Sequence, residues 1–164
     1  MRTPIIATVV LALAAPPALA AVDVSFTRPE RFTDAALDRS FGDEARQRTL
    51  EGIERHFRAM AERWLPPGRD LRVEIIDIDL AGRFEPLRAP SQDVRAMLDV
   101  TWPRITLRYA LEENGRPVAT AQEEVTDLDY LVRPQAQRSR DPLRYEKAML
   151  DDWFRSRFAG STGG

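Results

Sequence analysis

Two aspartate pairs have spacing that could support chemistry. Asp77 and Asp79, and then Asp127 and Asp129, are each separated by a single residue, so an extended backbone places both carboxylates of a pair on one face. If the two segments met, four carboxylates could hold a hard cation such as Ca²⁺. Neither pair has the glycine and bidentate-glutamate spacing of a calcium loop. The simpler reading is solvated acids at a strand end and a turn, some of them paired with arginine, and no other cofactor is expected.

Glu146 and Asp79 are the candidate acid and base groups. Glu146 falls between Leu143 and Leu150 on the inward stripe of a C-terminal helix pattern, where a carboxylate needs a partner or a raised pKa. An ion pair with an arginine flanking the core would account for it. His56 is the only histidine and lies beside Ile53 and Met60 at the edge of another helical stripe. With no second histidine and no cysteine, a zinc site is not expected. The sequence has no G-x-S-x-G elbow and no glycine-rich phosphate loop. Trp102, Tyr109, Tyr130 and Trp153 could line a sugar or peptide groove, but aromatic residues at strand and helix periods usually belong to the core. Tyr130, in a polar segment, is the one that packing explains least.

The element that positions the first pair is Leu71–Gly82, LRVEIIDIDLAG. Its apolar residues are odd-numbered up to Ile75 and even-numbered from Ile76, so a bulge is expected there. With that bulge Asp77 and Asp79 turn outward beside Arg72 and Glu74, away from a core in which unpaired carboxylates would be costly. Gly82 supplies a backbone conformation closed to other residues, and Ala81 permits close approach of a neighbouring segment. Asp79 is expected to accept hydrogen bonds from the following turn or from an arginine, which would depress its pKa.

A helix is predicted over about Asp43–Leu65, where Leu50, Ile53, Phe57, Met60 and Trp64 form one stripe and Pro66, Pro67 and Gly68 end it. Such a helix is about 34 Å long, the reach of about ten strand residues, so it can lie along the 71–80 strand. Val22, Val24 and Phe26 alternate as a first short strand. The loop after them has one helical turn expected around Ala35–Arg39. The connection 81–90 contains Pro86 and Pro90, and 91–100 is ambiguous between helix and strand. Ile105, Leu107, Tyr109 and Leu111 mark an amphipathic strand, Asn114-Gly115 a tight hairpin turn, and about Val118–Val125 the return strand. After a polar stretch, Asp141 and Pro142 fit the start of a second helix running to about Phe158. The fold class is therefore α+β: one domain over residues 21–160, with a sheet of about four strands in the order β-α-β-β-β-α, two helices on one face, and a disordered tail at 161–164.

Ahead of this domain, Arg2, an apolar run of 11 residues (Ile5–Ala15), Pro16-Pro17 and Ala18-Leu19-Ala20 have the layout of a secretory leader cleaved after Ala20. A bilayer-spanning helix needs about 20 apolar residues, and no later segment qualifies. Removal leaves 144 of the 164 residues, the size of one domain with a sizeable core. It also shifts the net charge from −2 to −3, which argues against a nucleic-acid partner. An exported chain without cysteine is stable without disulfides, and a bacterial periplasm suits that.

The DIDLAG run at Asp77–Gly82, the WPRITLRY run at Trp102–Tyr109 and the YEKAMLDDWF run at Tyr145–Phe154, with Phe32, Thr33 and Asp34, together resemble the bacterial family catalogued as domain of unknown function 3016. The resemblance spans essentially the whole mature chain. It implies an exported single-domain protein and carries no activity or catalytic residue. The sequence thus assigns no reaction. The expectation is a non-enzymatic periplasmic module that binds an envelope protein or a periplasmic ligand. The alternative is a carboxylate-based hydrolase or divalent-cation-dependent enzyme using Asp77, Asp79, Asp127, Asp129 and Glu146.

Overall fold

A computed structural model describes residues 20–38, 41–84 and 95–159. The expected leader apart from Ala20, the tail 161–164, and residues 85–94 of the connection and the ambiguous stretch lie outside the described residues. The elements in chain order are β1 (Ala21–Phe26), α1 (Gly42–Trp64), β2 (Arg69–Asp79), β3 (Arg83–Phe84), β4 (Arg95–Ala96), β5 (Arg104–Glu113), β6 (Arg116–Thr126), α2 (Pro134–Arg138) and α3 (Arg144–Phe158). Short 3₁₀ turns occupy Pro29–Arg31 and Tyr130–Val132. The helical turn expected around Ala35–Arg39 is not seen over its described part. Instead Asp34 pairs with Asp79 in a parallel bridge, and the helical turn lies earlier, where Pro29 fixes φ.

Four strands form one sheet in the order β1-β2-β5-β6, with β1 parallel to β2 and the other pairs antiparallel. β3 and β4 form a separate small pair. The α+β class and the element order follow the sequence reading. α1 begins within a residue of its expected start because its apolar stripe decides it: Leu50, Ile53, Phe57 and Met60 are buried. Each such side chain contributes up to about 1.5–3 kcal/mol by leaving water, against about 0.2–0.5 kcal/mol for an exposed pair such as Glu54–Arg58. α3 starts two residues after Pro142, because Asp141 accepts the N–H of Leu143 (2.8 Å) and also binds the Lys147 ammonium. It caps the turn ahead of the helix.

α1 and α3 pack on one sheet face, where Ile105, Leu107, Tyr109 and Leu111 meet Leu71, Val73, Ile75 and Ile78. Trp153 makes edge contacts with Phe57, Tyr109 and Phe158 at centroid distances of 6.2, 5.8 and 5.4 Å, and its indole N–H is satisfied by Glu123 (2.8 Å). Tyr109 and Trp153 are therefore part of the core. The other sheet face carries charged and polar residues, with Arg108 bonded to Glu74 (2.7 Å) and Gln122 (3.0 Å). Among the described residues no helix is long and apolar enough to cross a membrane.

The register of β2 against β5 skips Ile76: Ile75 faces Leu107 and Asp77 faces Thr106. That is the expected bulge, and it moves Asp77 and Asp79 off the core face. The β5–β6 hairpin turns on Asn114 (φ 51°) and Gly115 (φ 73°), and Gly82 closes β2 at φ 74°.

The last two glycines differ in what surrounds them, which gives a paired expectation. A Cβ at Gly82 would sit 2.7 Å from Met97 Sδ and 2.8 Å from the Ala96 carbonyl oxygen, whereas one at Gly115 meets nothing within 4 Å. Gly115→Ala carries only the left-handed backbone penalty, about 1–2 kcal/mol. Gly82→Ala adds a backbone clash to it and should cost more than Gly115→Ala. Urea unfolding of both variants checks this, and equal losses would refute the close approach at Gly82.

Candidate functional site

β2 leaves the sheet at Asp79, and several distant segments converge there. The Asp34 N–H donates to the Ile78 carbonyl (2.9 Å), and the Leu80 N–H donates to the Asp34 carbonyl (3.0 Å). This lays Asp34 beside Asp79 as an extra strand pairing. Asp77 pins the segment, accepting the Thr33 N–H and the Thr33 hydroxyl at 2.7 Å each. On the other side of β2, Asp79 is the cross-strand partner of Arg104, which in turn faces Thr126. Opposed residues in neighbouring strands share a face, so Asp34, Asp79 and Arg104 form one row across the sheet end.

Behind the row the chain turns through Leu80, Ala81 and Gly82, whose carbonyls have left the ladder. Arg95 satisfies them. Its guanidinium donates to the carbonyls of Leu80 (3.2 Å), Ala81 (3.2 Å), Gly82 (2.7 Å) and Ala36 (3.3 Å), and to Asp34 Oδ2 (2.8 Å). It also stacks on Phe84 at 4.8 Å. Its side chain is only 6% exposed, a burial that a charged group tolerates when it is paired and fully bonded. From the other side, Glu146 on α3 accepts the Ala81 N–H at Oε1 (2.8 Å), while its Oε2 is buried without a partner. Burial pushes the Glu146 carboxyl up from its ordinary range, and the Ala81 bond and the nearby Arg95 charge offset only part of that.

In front of the row is a cleft of about 210 Å³ lined by Asp34, Asp79, Gly82, Val100, Thr101, Trp102 and Arg104 among others. Asp79 makes no side-chain hydrogen bond or ion pair among the described residues. Its carboxyl is raised above its ordinary pKa, first by burial, with the Arg104 charge opposing and Asp34 and Asp77 reinforcing. The expectation that Asp79 would be bonded and depressed is therefore corrected. Asp77 and Asp34 take the structural bonds, because Thr33 and Arg95 bring donors to them, whereas Asp79 lies between Asp34 and Arg104 and receives a bond from neither. The Arg104 side chain likewise has no hydrogen bond or ion pair among the described residues, and its Nε is buried and unpartnered. Asp79 and Arg104 thus face each other with opposite charges and no bond between them.

The remaining sequence candidates fall elsewhere or have other roles. Asp127 accepts the Asp129 N–H (3.1 Å) and pairs with Arg133 (2.8 Å), while Asp129 is exposed. The two D-x-D pairs are used separately, and among the described residues no three His, Asp or Glu side chains are grouped to hold a metal ion. Glu146 meets a backbone amide where an arginine was expected. His56 Nε2 lies 2.9 Å from Asp151 and 3.2 Å from the Lys147 carbonyl, linking α1 to α3. Tyr130 is fully buried against Tyr145 (4.9 Å), and its hydroxyl donates to the Leu98 carbonyl (2.6 Å). Sequence reading missed Arg95, Thr101 and Arg104 as site residues. Of these only Arg104 carried a signal, standing on the polar side of an alternating strand.

Glu146 gives a pH test with a fixed sign. A carboxyl whose folded pKa is raised favours folding below its unfolded pKa, and that contribution is lost as pH rises through the folded value. Glu146→Gln keeps an acceptor for the Ala81 N–H and removes the ionisation, so it should gain stability relative to wild type on going from about pH 4 to pH 8. Glu146→Ala strands the amide and should lose about 1–3 kcal/mol. Chemical denaturation across that pH range checks both, and a Glu146→Gln difference independent of pH would refute the buried, raised carboxyl.

No curated protein and no solved structure matched the chain. A family model described as "Protein of unknown function (DUF3016)" matches residues 20–156, which includes every residue of the cleft. The chain belongs to that family, the one its DIDLAG, WPRITLRY and YEKAMLDDWF runs resemble.

Proposed function

We propose that the protein is an exported binding module that takes a small polar molecule in the cleft at the end of β2 and performs no reaction on it. The observation that carries this is the opposed, unbonded pair of Asp79 and Arg104. Half-buried charges without partners are costly, and folds that keep such groups in a concavity usually use them on a ligand. A carboxylate-based hydrolase would need a second free carboxyl facing Asp79. Asp34 is tied to Arg95, Asp77 to Thr33, and Glu146 is 2% exposed, beyond the reach of a ligand. Export rests on the leader layout of residues 1–20, and a periplasmic partner or ligand follows from it.

Two measurements test the proposal. Thermal melts of residues 21–164 against a panel of amino acids, sugars and short peptides should rise for at least one class. A ligand at 100 times its dissociation constant stabilises by about 2.7 kcal/mol, and Asp79→Asn and Arg104→Gln should abolish the rise. No response from any class would overturn the binding reading. For export, intact mass of the chain expressed in a Gram-negative host should show a product beginning at Ala21 in the periplasmic fraction. Recovery only of the full chain in the cytoplasm would refute it.

A further inference from the structure

We propose that the ligand is a free α-amino acid with a small apolar side chain, its ammonium on Asp79 and its carboxylate on Arg104. This rests on the binding reading above and narrows it to a chemical class.

The charge inventory around the cleft supports the assignment. Asp34 is neutralised by Arg95, which is itself saturated by four carbonyls. Asp77 is held by both donors of Thr33. Arg83 borders the cleft and is already engaged. Among the described residues that line the cleft, one negative and one positive side chain are left without bonds, and they are cross-strand partners on a single sheet face. A ligand with one charge would satisfy one of them and sit against its like in the other. A neutral ligand would give each only neutral hydrogen bonds, about half the strength of charge-assisted ones. A zwitterion satisfies both and brings no net charge into the cleft. Its two charges are held on adjacent carbons, matching two side chains that project side by side.

The walls set the rest of the molecule. Trp102 and Val100 line the cleft beside the charged pair, and Val100 is 64% exposed, a large apolar side chain left at the rim. They suit an aliphatic substituent. The cavity of about 210 Å³ accommodates a molecule the size of alanine or valine. An arriving ammonium would also oppose the burial that raises the Asp79 carboxyl, so binding should strengthen as pH rises through the Asp79 titration.

Calorimetric titration of residues 21–164 with alanine, alaninamide and N-acetylalanine tests the assignment. Alanine should bind, and each blocked analogue should bind at least tenfold more weakly, because one loses the carboxylate and the other the ammonium. Asp79→Asn should bring alanine down to the level of N-acetylalanine, and Arg104→Gln should bring it down to alaninamide. Equal affinities for the three compounds in wild type overturn the zwitterion, whatever the variants do. If a sugar or another neutral compound from the panel binds and is lost in Asp79→Asn while alanine and valine do not bind, the class is wrong and the binding reading stands. If nothing binds, both fail.

Discussion

The end of β2 depends on one buried guanidinium. A strand that leaves a sheet takes its carbonyls out of the ladder, and buried carbonyls without donors each cost of order 1–3 kcal/mol. Leu80, Ala81 and Gly82 do this in succession, and Arg95 meets all three while also reaching Ala36 and Asp34. Arginine suits the task because its donors are held in a rigid planar fork. A lysine ammonium is a compact point charge on a flexible stem and could not span the same set. The contact joins residues 34–36, 80–82 and 95 into one unit, and the cleft is the space left in front of it.

The same turn is held from behind by the opposite chemistry. Glu146 accepts the Ala81 N–H while Arg95 donates to the Ala81 carbonyl, so the two polar groups of that one residue are satisfied by side chains of opposite charge. This ties α3 to the sheet end at a point far from its aromatic packing on Phe57 and Tyr109. It also explains why a carboxyl is tolerated on the inward side of a helix: burial pushes its pKa up, but it serves an amide that has no other acceptor, and that bond and the nearby Arg95 charge offset part of the cost.

Much of the fold was legible because it is written locally. The α1 stripe, the Asn-Gly hairpin and the switch of apolar parity at Ile75–Ile76 each need only a short window, and each appears where the periodicity put it. The site was not legible in the same way. Arg95 lies 13 residues beyond the carbonyl of Gly82 and in a stretch whose pattern fits neither helix nor strand clearly. The partner of Asp77 comes from 44 residues earlier in the chain, and Tyr130 is buried by contacts with Leu98 and Tyr145 that no local pattern announces. Which carboxylates become structural is decided by these long-range arrivals.

Asp77 and Asp79 make the point most directly, since they have the same side chain, the same strand and the same face, with one residue between them. Asp77 meets Thr33, whose backbone and hydroxyl saturate both of its oxygens. Asp79 meets Asp34, whose one donor, the backbone N–H, goes to the Ile78 carbonyl and whose carboxylate is taken by Arg95. Asp34 therefore has nothing to donate to Asp79 and adds a like charge beside it. Arg104 attracts Asp79 from the other side, but no bond forms between them, so the attraction offsets only part of the burial. The device that closes the strand end thus also leaves Asp79 unsatisfied: the Arg95 donors go to Asp34 and the turn carbonyls, and none reaches Asp79.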